Sequence, residues 1–348
     1  MKTVTYRGFK TVVVYDEETA YGTGATPATA IKGKISTIST TKNNTLIRTQ
    51  GLGEGRNETF VGFGNFEGTW SMEYEVASFD LLQFGIGSLH GIGTPITPYY
   101  LQEEDFMDYT AGADSGLKSF AFDINSLDVT GGTHNKDTLS GMIINTIGLS
   151  LNLGETLKCS LDGFYRTVTS ATSTTAYTAD TTKPWTFAQG NFLWDTTTPT
   201  SADNVNRVTS CSININNNFA AEVGRQIGSR FTEAAEPGLR KYDWVLTVKM
   251  TDVIATKFRD IFYGQANTPT TGIADAEPTF YKIILNLSEG NGSGERNAQI
   301  LLDDCAISDI SKPINIGDNI VELTINGTSK KGTTETSNRP IKYWTVPA

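Results

Sequence analysis

The chain has 348 residues, a formal charge of −10 and three cysteines. That length suits about two domains, each large enough to bury a core of its own. The acidic balance argues against a general DNA- or RNA-binding surface, which needs basic patches. Nowhere does an apolar run approach the 18 or so residues of a transmembrane helix.

Gly, Thr, Asn and Ser are abundant, and the apolar runs are short and separated by turn residues. This pattern predicts a mainly β protein. Residues 1–30 read as an N-terminal arm with a strand over 11–15 (TVVVY) and no apolar core of signal-peptide length. A first domain is expected over 31–164. It opens with a strand over 31–40, followed by a long Gly-rich stretch, 42–68, read as an extended hairpin reaching out of the domain. That stretch carries Arg48, Glu54, Arg56 and Glu58, with Phe60, Phe63 and Phe66 at a spacing of three. Loops of such length tend to be functional.

Residues 70–84 (WSMEYEVASFDLLQF) form the central block. Trp70, Met72, Tyr74 and Val76 alternate with Ser71, Glu73, Glu75 and Ala77, the period of a half-buried strand. Ser78 then caps a short amphipathic helix with Phe79, Leu82 and Ile86 on its apolar face, and Phe84 closes the block. A further strand is expected over 117–125, with Phe120 and Phe122 on one face. Residues 165–204 read as a Thr/Ser-rich connector, whose aromatic stretch 183–194 (KPWTFAQGNFLW) should dock on a surface or form a short hairpin. A second domain is expected over 205–327 and a C-terminal tail over 328–348, anchored by Tyr343 and Trp344.

The second domain repeats the first. Residues 244–258 (WVLTVKMTDVIATKF) again give an alternating strand from Trp244. A cap at Thr251 or Asp252 and a short helix carrying Phe258 follow. Upstream, Ile35 aligns with Val208, Ile38 with Cys211, and Asn43-Asn44 with Asn216-Asn217. Downstream, Gly154-Glu155 aligns with Gly317-Asp318 and Gly163 with Gly327. The loop 216–238 matches the first hairpin and carries Glu222, Arg225, Arg230 and Glu233. Three collinear pairings predict a tandem duplication, with Trp70, Phe84, Trp244 and Phe258 as core markers. The ten charged and aromatic residues of the two loops (Arg48 to Phe63 in one, Glu222 to Glu233 in the other) are candidates for inter-subunit or ring-stacking contacts.

Chemistry-bearing motifs are sparse. His90 and His134 are expected in Gly-rich loops, without a second ligand at metal spacing. No GxSxG elbow frames a serine, and GLGEG at 51–55 lacks the order and ending of a phosphate loop. Asp303-Asp304 and Glu103-Glu104-Asp105 read as solvated acidic surface. Cys159, Cys211 and Cys305 are widely spaced and read as buried and reduced, as in a chain made in a cytoplasm. No catalytic, cofactor or metal site is expected.

The order of these motifs resembles the tail tube proteins of tailed bacteriophages. The similarity lies in the aromatic lead-in PWTFAQGNF, the strand ending in Asn216-Asn217, the Gly/Arg loop 224–230 (GRQIGSR) and the strand from Trp244 entering a lone helix. A weaker version runs through ISTISTTKNN, GLGEGR and WSMEYEV. The resemblance implies two tandem β-sandwich or barrel domains, each flanked by one short α-helix. It implies self-assembly into stacked rings, with three chains acting as a pseudo-hexamer, around a channel through which phage DNA is ejected. The partners it implies are further copies of the chain, the tape measure protein, the tail tip and tail terminator proteins, and phage DNA passing through the lumen without sequence-specific binding. No membrane is involved, and the place of action is the virion, after assembly in the host cytoplasm. Other self-assembling β proteins (a terminator, a sheath-related or secretion-tube subunit, a surface-layer protein) are the alternative, ahead of a carbohydrate-binding module or enzyme.

Overall fold

The computed structural model describes residues 6–50, 60–91, 99–104, 116–128, 134–172, 180–195, 199, 204–205, 207–220, 224–232, 236–251, 280–290, 294–312, 320–330 and 340–345. They form a mainly β protein. The strands are β1 (Tyr6–Glu17), β2 (Thr29–Ala30), β3 (Gly33–Thr49), β4 (Phe60–Val76), β5 (Leu89–Gly91), β6 (Tyr99–Leu101), β7 (Phe120–Asp128), β8 (His134–Asn152), β9 (Lys158–Tyr165) and β10 (Thr167–Ala171). They continue with β11 (Gly190–Asp195), β12 (Val208–Asn216), β13 (Lys241–Lys249), β14 (Tyr281–Ser288), β15 (Arg296–Ser311), β16 (Glu322–Ser329) and β17 (Ile341–Thr345). The helix expected after Ser78 is a 3₁₀ turn (Asp80–Leu82) running into one turn of α1 (Gln83–Ile86), and the Ser78 hydroxyl accepts from the Asp80 amide at 3.3 Å. The matching helix with Phe258 lies outside the described residues.

All strand pairings are antiparallel, and their order recurs. In the first half β3 pairs with β4, β4 with β9, and β9 with the second half of β8. In the second half β12 pairs with β13, β13 with β16, and β16 with the second half of β15. The first halves of β8 and β15 leave these ladders for another layer, where β8 lies between β7 and β10 and β15 between β14 and β17. β1 extends the first of these layers beyond β7, and β11 the second beyond β14.

Irregularities recur as well. Bulges interrupt β3 between Ile35 and Thr37 and β12 between Val208 and Ser210. They interrupt β8 between Ile144 and Thr146 and β15 between Ile307 and Asp309. Each long strand turns its corner on a residue of positive φ, Gly141 at 67° and Asp304 at 45°. Such a backbone is free for glycine and tolerable for Asp, whose short polar side chain suits the left-handed region. A bulge adds twist and bends the strand, which is what carries one strand between two layers.

The layers enclose the core. In the first half, Trp70 of β4 meets Phe120 and Phe122 of β7 at 5.8 and 5.6 Å, and Phe84 stacks on Phe120 at 4.6 Å. In the second half, Trp194 of β11 meets Trp244 of β13 at 6.0 Å and Tyr281 of β14 at 5.8 Å. Each such aromatic pair adds about 0.5–1.5 kcal/mol beyond burial of its area. A glycine lies beside each repeated tryptophan. A Cβ on Gly163 would come 3.0 Å from Trp70 Nε1, and one on Gly327 would come 2.2 Å from Trp244 Cζ2.

Several sequence expectations need correction. His90 and His134 occupy strand positions, in β5 and at the start of β8, where the ladder fixes their backbone. The acidic groups are not all solvated: Glu103, Glu104 and Asp303 are buried, and Asp303 pairs with Lys282 at 3.0 Å. Strand alternation gives faces, but burial depends on what later segments lay over them. The connector is partly structured, contributing β10 and β11 to the two layers, while Trp185 binds the end of β4 through its amide to Val76 O at 2.9 Å. The three cysteines are free and buried.

Candidate functional site

The two halves join in one seam. The second half of β8 pairs with β12 from Thr146↔Asn216 to Asn152↔Ser210. An eight-stranded sheet therefore runs β3-β4-β9-β8-β12-β13-β16-β15 without a break. Its core face carries Met72, Ile147, Ile213 and Leu246, all buried. Its other face, by strand alternation, carries residues such as Ser71, Glu73, Ser150, Ser212, Asp243 and Thr324, each exposed or half-buried. Hydroxyls, amides and carboxylates dominate this second face.

Asn217 closes the seam from just beyond β12. Its buried amide donates to Gly85 O at 2.8 Å and Ile144 O at 3.0 Å, and its Oδ1 accepts from Arg240 Nε at 2.6 Å. Arg240 also reaches Glu104 O at 2.9 Å, and the Tyr242 hydroxyl donates to Glu103. Burial raises the Tyr242 phenol well above its usual range, which keeps it a neutral donor. Arg296 makes a second tie, donating to Ala77 O at 2.8 Å, Lys183 O at 2.7 Å and Glu289, with its guanidinium 4.7 Å from the Trp185 ring centre. Arg296 hydrogen bonds hold the Glu289 carboxyl below its usual range.

Within the stretch 42–68, residues 42–49 and 60–68 form a long antiparallel pair out to Thr49↔Phe60, and 51–59 lie outside the described residues. Beyond Asn44 it leaves the body of the sheet and exposes Leu46, Ile47, Phe60, Val61 and Phe63. The loop from the second half grips its base. Arg230 donates to Gly64 O at 3.0 Å and Asn44 Oδ1 at 2.7 Å, and its guanidinium lies 5.0 Å from the Phe63 ring centre. Arg225 pairs with Glu67 at 3.6 Å, and Phe66 packs on Phe231 at 5.7 Å. Lys42 anchors the other side through Asp137 at 2.8 Å. Partial burial opposes ionisation of Asp137, but the Lys42 and Ser170 hydrogen bonds outweigh it and lower its pKa.

The sequence candidates thus divide. Arg225, Arg230 and Phe63 meet within the chain, while Phe60 stands exposed and Arg48 lies on the distal part of β3. Trp70, Phe84 and Trp244 are core residues. Glu54, Arg56, Glu58, Glu222 and Glu233 lie outside the described residues. Asn217, Arg240, Glu103, Tyr242 and Arg296 were not singled out as a network. Asn216-Asn217 stood out only as a recurring pair, and nothing local to Arg296 marks its two distant acceptors, Ala77 O and Lys183 O.

Enclosed chemistry is scant among the described residues. A cleft of about 360 Å³ at the end of the β8–β12 seam is lined by Leu151, Phe187, Phe192, Arg207 and Cys211, without a carboxylate or histidine. Burial pushes the Cys211 thiol up to about 12, far from a ready nucleophile. No group of three or more metal-ligating side chains occurs among the described residues. No helix among them is long and apolar enough to cross a membrane.

These features define a mainly β protein whose prominent surfaces are sheet edges, a polar sheet face and a projecting strand pair. The chain belongs to the phage tail tube protein family, whose model matches residues 8–329. It is therefore a tail tube component of a phage virion. No protein of curated function matches it.

Proposed function

We propose that three copies of this chain close into a ring that acts as a pseudo-hexamer, and that stacked rings form the channel through which phage DNA leaves. The observation that carries this reading is the unbroken eight-stranded sheet with a polar face and two outer edges, β3 and residues 306–311 of β15. Neither edge has a further strand partner among the described residues. Open edges are an aggregation liability unless closed, and a ring closes them without leaving an end.

The twofold recurrence of pairings, bulges and corner residues supports a tandem duplication as the origin of the six-domain ring. The polar face lines the channel in this reading. Hydroxyls and carboxylates outnumber the lysines there, such as Lys158 and Lys249, so DNA phosphates find few cations to adhere to. The projecting hairpin, with Phe60 and Phe63 at its exposed end and Arg48 along it, contacts the next ring. Tape measure, tail tip and tail terminator proteins are its further partners, assembly takes place in the host cytoplasm, and no catalytic or cofactor role is assigned.

Negative-stain microscopy of the purified full chain, with mass from light scattering, tests the proposal. Rings or tubes built from trimers support it. Rings of six chains would retain the tube and overturn the pseudo-hexamer. A chain that stays monomeric even on an isolated tail tip would overturn both.

A further inference from the structure

The internal β8–β12 seam carries a template for the contact between chains. We infer that residues 309–312 of one copy pair antiparallel with β3 of the next copy, in the register of the internal seam. This rests on the ring reading above and specifies its contact.

The register follows from the two halves. Trp70 faces Gly163 across β4 and β9, and Trp244 faces Gly327 across β13 and β16. Counting out from these pairs makes Ile307 the counterpart of Ile144, since each faces its glycine, and both precede a bulge. Asp309, Ile310 and Ser311 then correspond to Thr146, Ile147 and Gly148. On the other side, Ile35 faces Tyr74 before a bulge as Val208 faces Val248 before a bulge. Thr41, Lys42, Asn43 and Asn44 then correspond to Asn214, Ile215, Asn216 and Asn217.

Inside the chain, Thr146 faces Asn216, Ile147 faces Ile215 and Gly148 faces Asn214. Transferred outward, Asp309 faces Asn43, Ile310 faces Lys42 and Ser311 faces Thr41 of the next copy.

Burial supports the transfer. Asn217 is buried at 1% exposure, whereas Asn44 is exposed. Ile147 is fully buried and Ile144 likewise, whereas Ile310 and Ile307 are half-buried. The same positions are covered where a neighbouring half is present and open where the chain ends its sheet. Asn44 already accepts from Arg230 through Oδ1. Its amide nitrogen then faces Ile307 O of the next copy, as that of Asn217 faces Ile144 O.

The outer seam differs in one respect. The apolar pair Ile147–Ile215 becomes Ile310–Lys42, and the Lys42 ammonium is engaged by Asp137. Lysines on an edge blunt indiscriminate pairing, so the outer seam is the weaker and more selective of the two.

The test uses the full chain with Ser311→Cys and Thr41→Cys together, oxidised under assembly conditions and read by non-reducing electrophoresis. Directly opposed residues lie about 4.5–5.5 Å apart at Cβ, so an edge-strand shift of about 1 Å brings the thiols into disulfide geometry. Lys34→Cys in place of Thr41→Cys is the control, since seven strand residues move it about 23 Å along β3. The three native cysteines are buried, and the unsubstituted chain sets the background.

The expected result is a ladder ending at a closed trimer, formed about tenfold faster than in the control pair. Rings or tubes visible by microscopy without this cross-link would overturn the seam and spare the tube. So would a stronger cross-link from Ser311→Cys to Asn43→Cys or Ser39→Cys, a shifted register. Cross-linking into open chains that never close would uphold the seam and overturn the ring.

Discussion

Replacing Asn217 with alanine removes the polar closure of the internal seam. Three partners lose it at once: Gly85 O, Ile144 O and Arg240 Nε, at 2.8, 3.0 and 2.6 Å. A buried group left unpaired costs about 1–3 kcal/mol, but Arg240 keeps its bonds to Glu104 O and Gly85 O. Taking about 1–1.5 kcal/mol for the orphaned Ile144 carbonyl and smaller amounts for Gly85 O and the guanidinium, which keep each other as partners, gives about 2 kcal/mol. With about 2.1 cal/mol/K of unfolding entropy per residue, 348 residues give about 0.7 kcal/mol/K. The melting temperature of Asn217→Ala should then fall by about 3 °C. Asn44→Ala removes the same side chain from the exposed counterpart position and should cost the isolated chain about 0.5 kcal/mol or less. Differential scanning calorimetry of both variants at equal concentration, below the onset of assembly, is the assay. Equal melting temperatures for Asn217→Ala and the unsubstituted chain would refute the reasoning, because the seam would then be held by strand pairing alone.

Other outcomes follow from the same contacts. Gly327→Ala places a Cβ 2.2 Å from Trp244 Cζ2 and 2.5 Å from Ala306 O, and should lower stability in urea by about 2–3 kcal/mol. Asp304→Gly should leave stability unchanged or raise it slightly, while Asp304→Val, a branched residue forced to φ 45°, should lose about 1–2 kcal/mol in the same titration. The depressed Glu289 carboxyl stabilises the fold fully above the ordinary glutamate range, near pH 4.3. That contribution is lost as pH falls through its native value. Glu289→Gln should therefore flatten the acid limb of the stability profile and lose about 1 kcal/mol at pH 7. Cys159 and Cys211, both pushed up to about 12 by burial, should resist a thiol reagent at pH 8 until the chain is unfolded, when all three thiols of the sequence react.

The recurring order of strands was legible in the sequence because its markers are local. Trp70 and Trp244 open alternating stretches, Asn43-Asn44 and Asn216-Asn217 recur on or just beyond the strands paired with them, and Gly163 and Gly327 fit where a tryptophan leaves no room for a Cβ. The pairing of 42–49 with 60–68 was also legible, since a long Gly-rich stretch between two alternating strands suits an extended hairpin. What was hidden is non-local. One strand serving two layers, as β8 and β15 do, depends on a corner residue and a bulge whose signal is only Gly141 in one half and Asp304 in the other. Alternation continues through that corner, so nothing in the pattern says that the partners change. The burial of Glu103 depends on Tyr242, 139 residues away, and that of Asp303 on Lys282 across β14. A carboxylate beside apolar neighbours reads as surface until its distant donor is known. The loop arginines were recognisable as contact residues, but their main partners here are on the first hairpin of the same chain.

The most direct test of the tube account is a cryo-electron-microscopy reconstruction of the assembled chain. The account requires stacked rings of three chains, with Ser71, Ser150 and Ser212 facing the channel and Trp70 and Trp244 inside the wall. A lumen lined by another surface, or an assembly whose eight-stranded sheets do not join at β3 and β15, would contradict it.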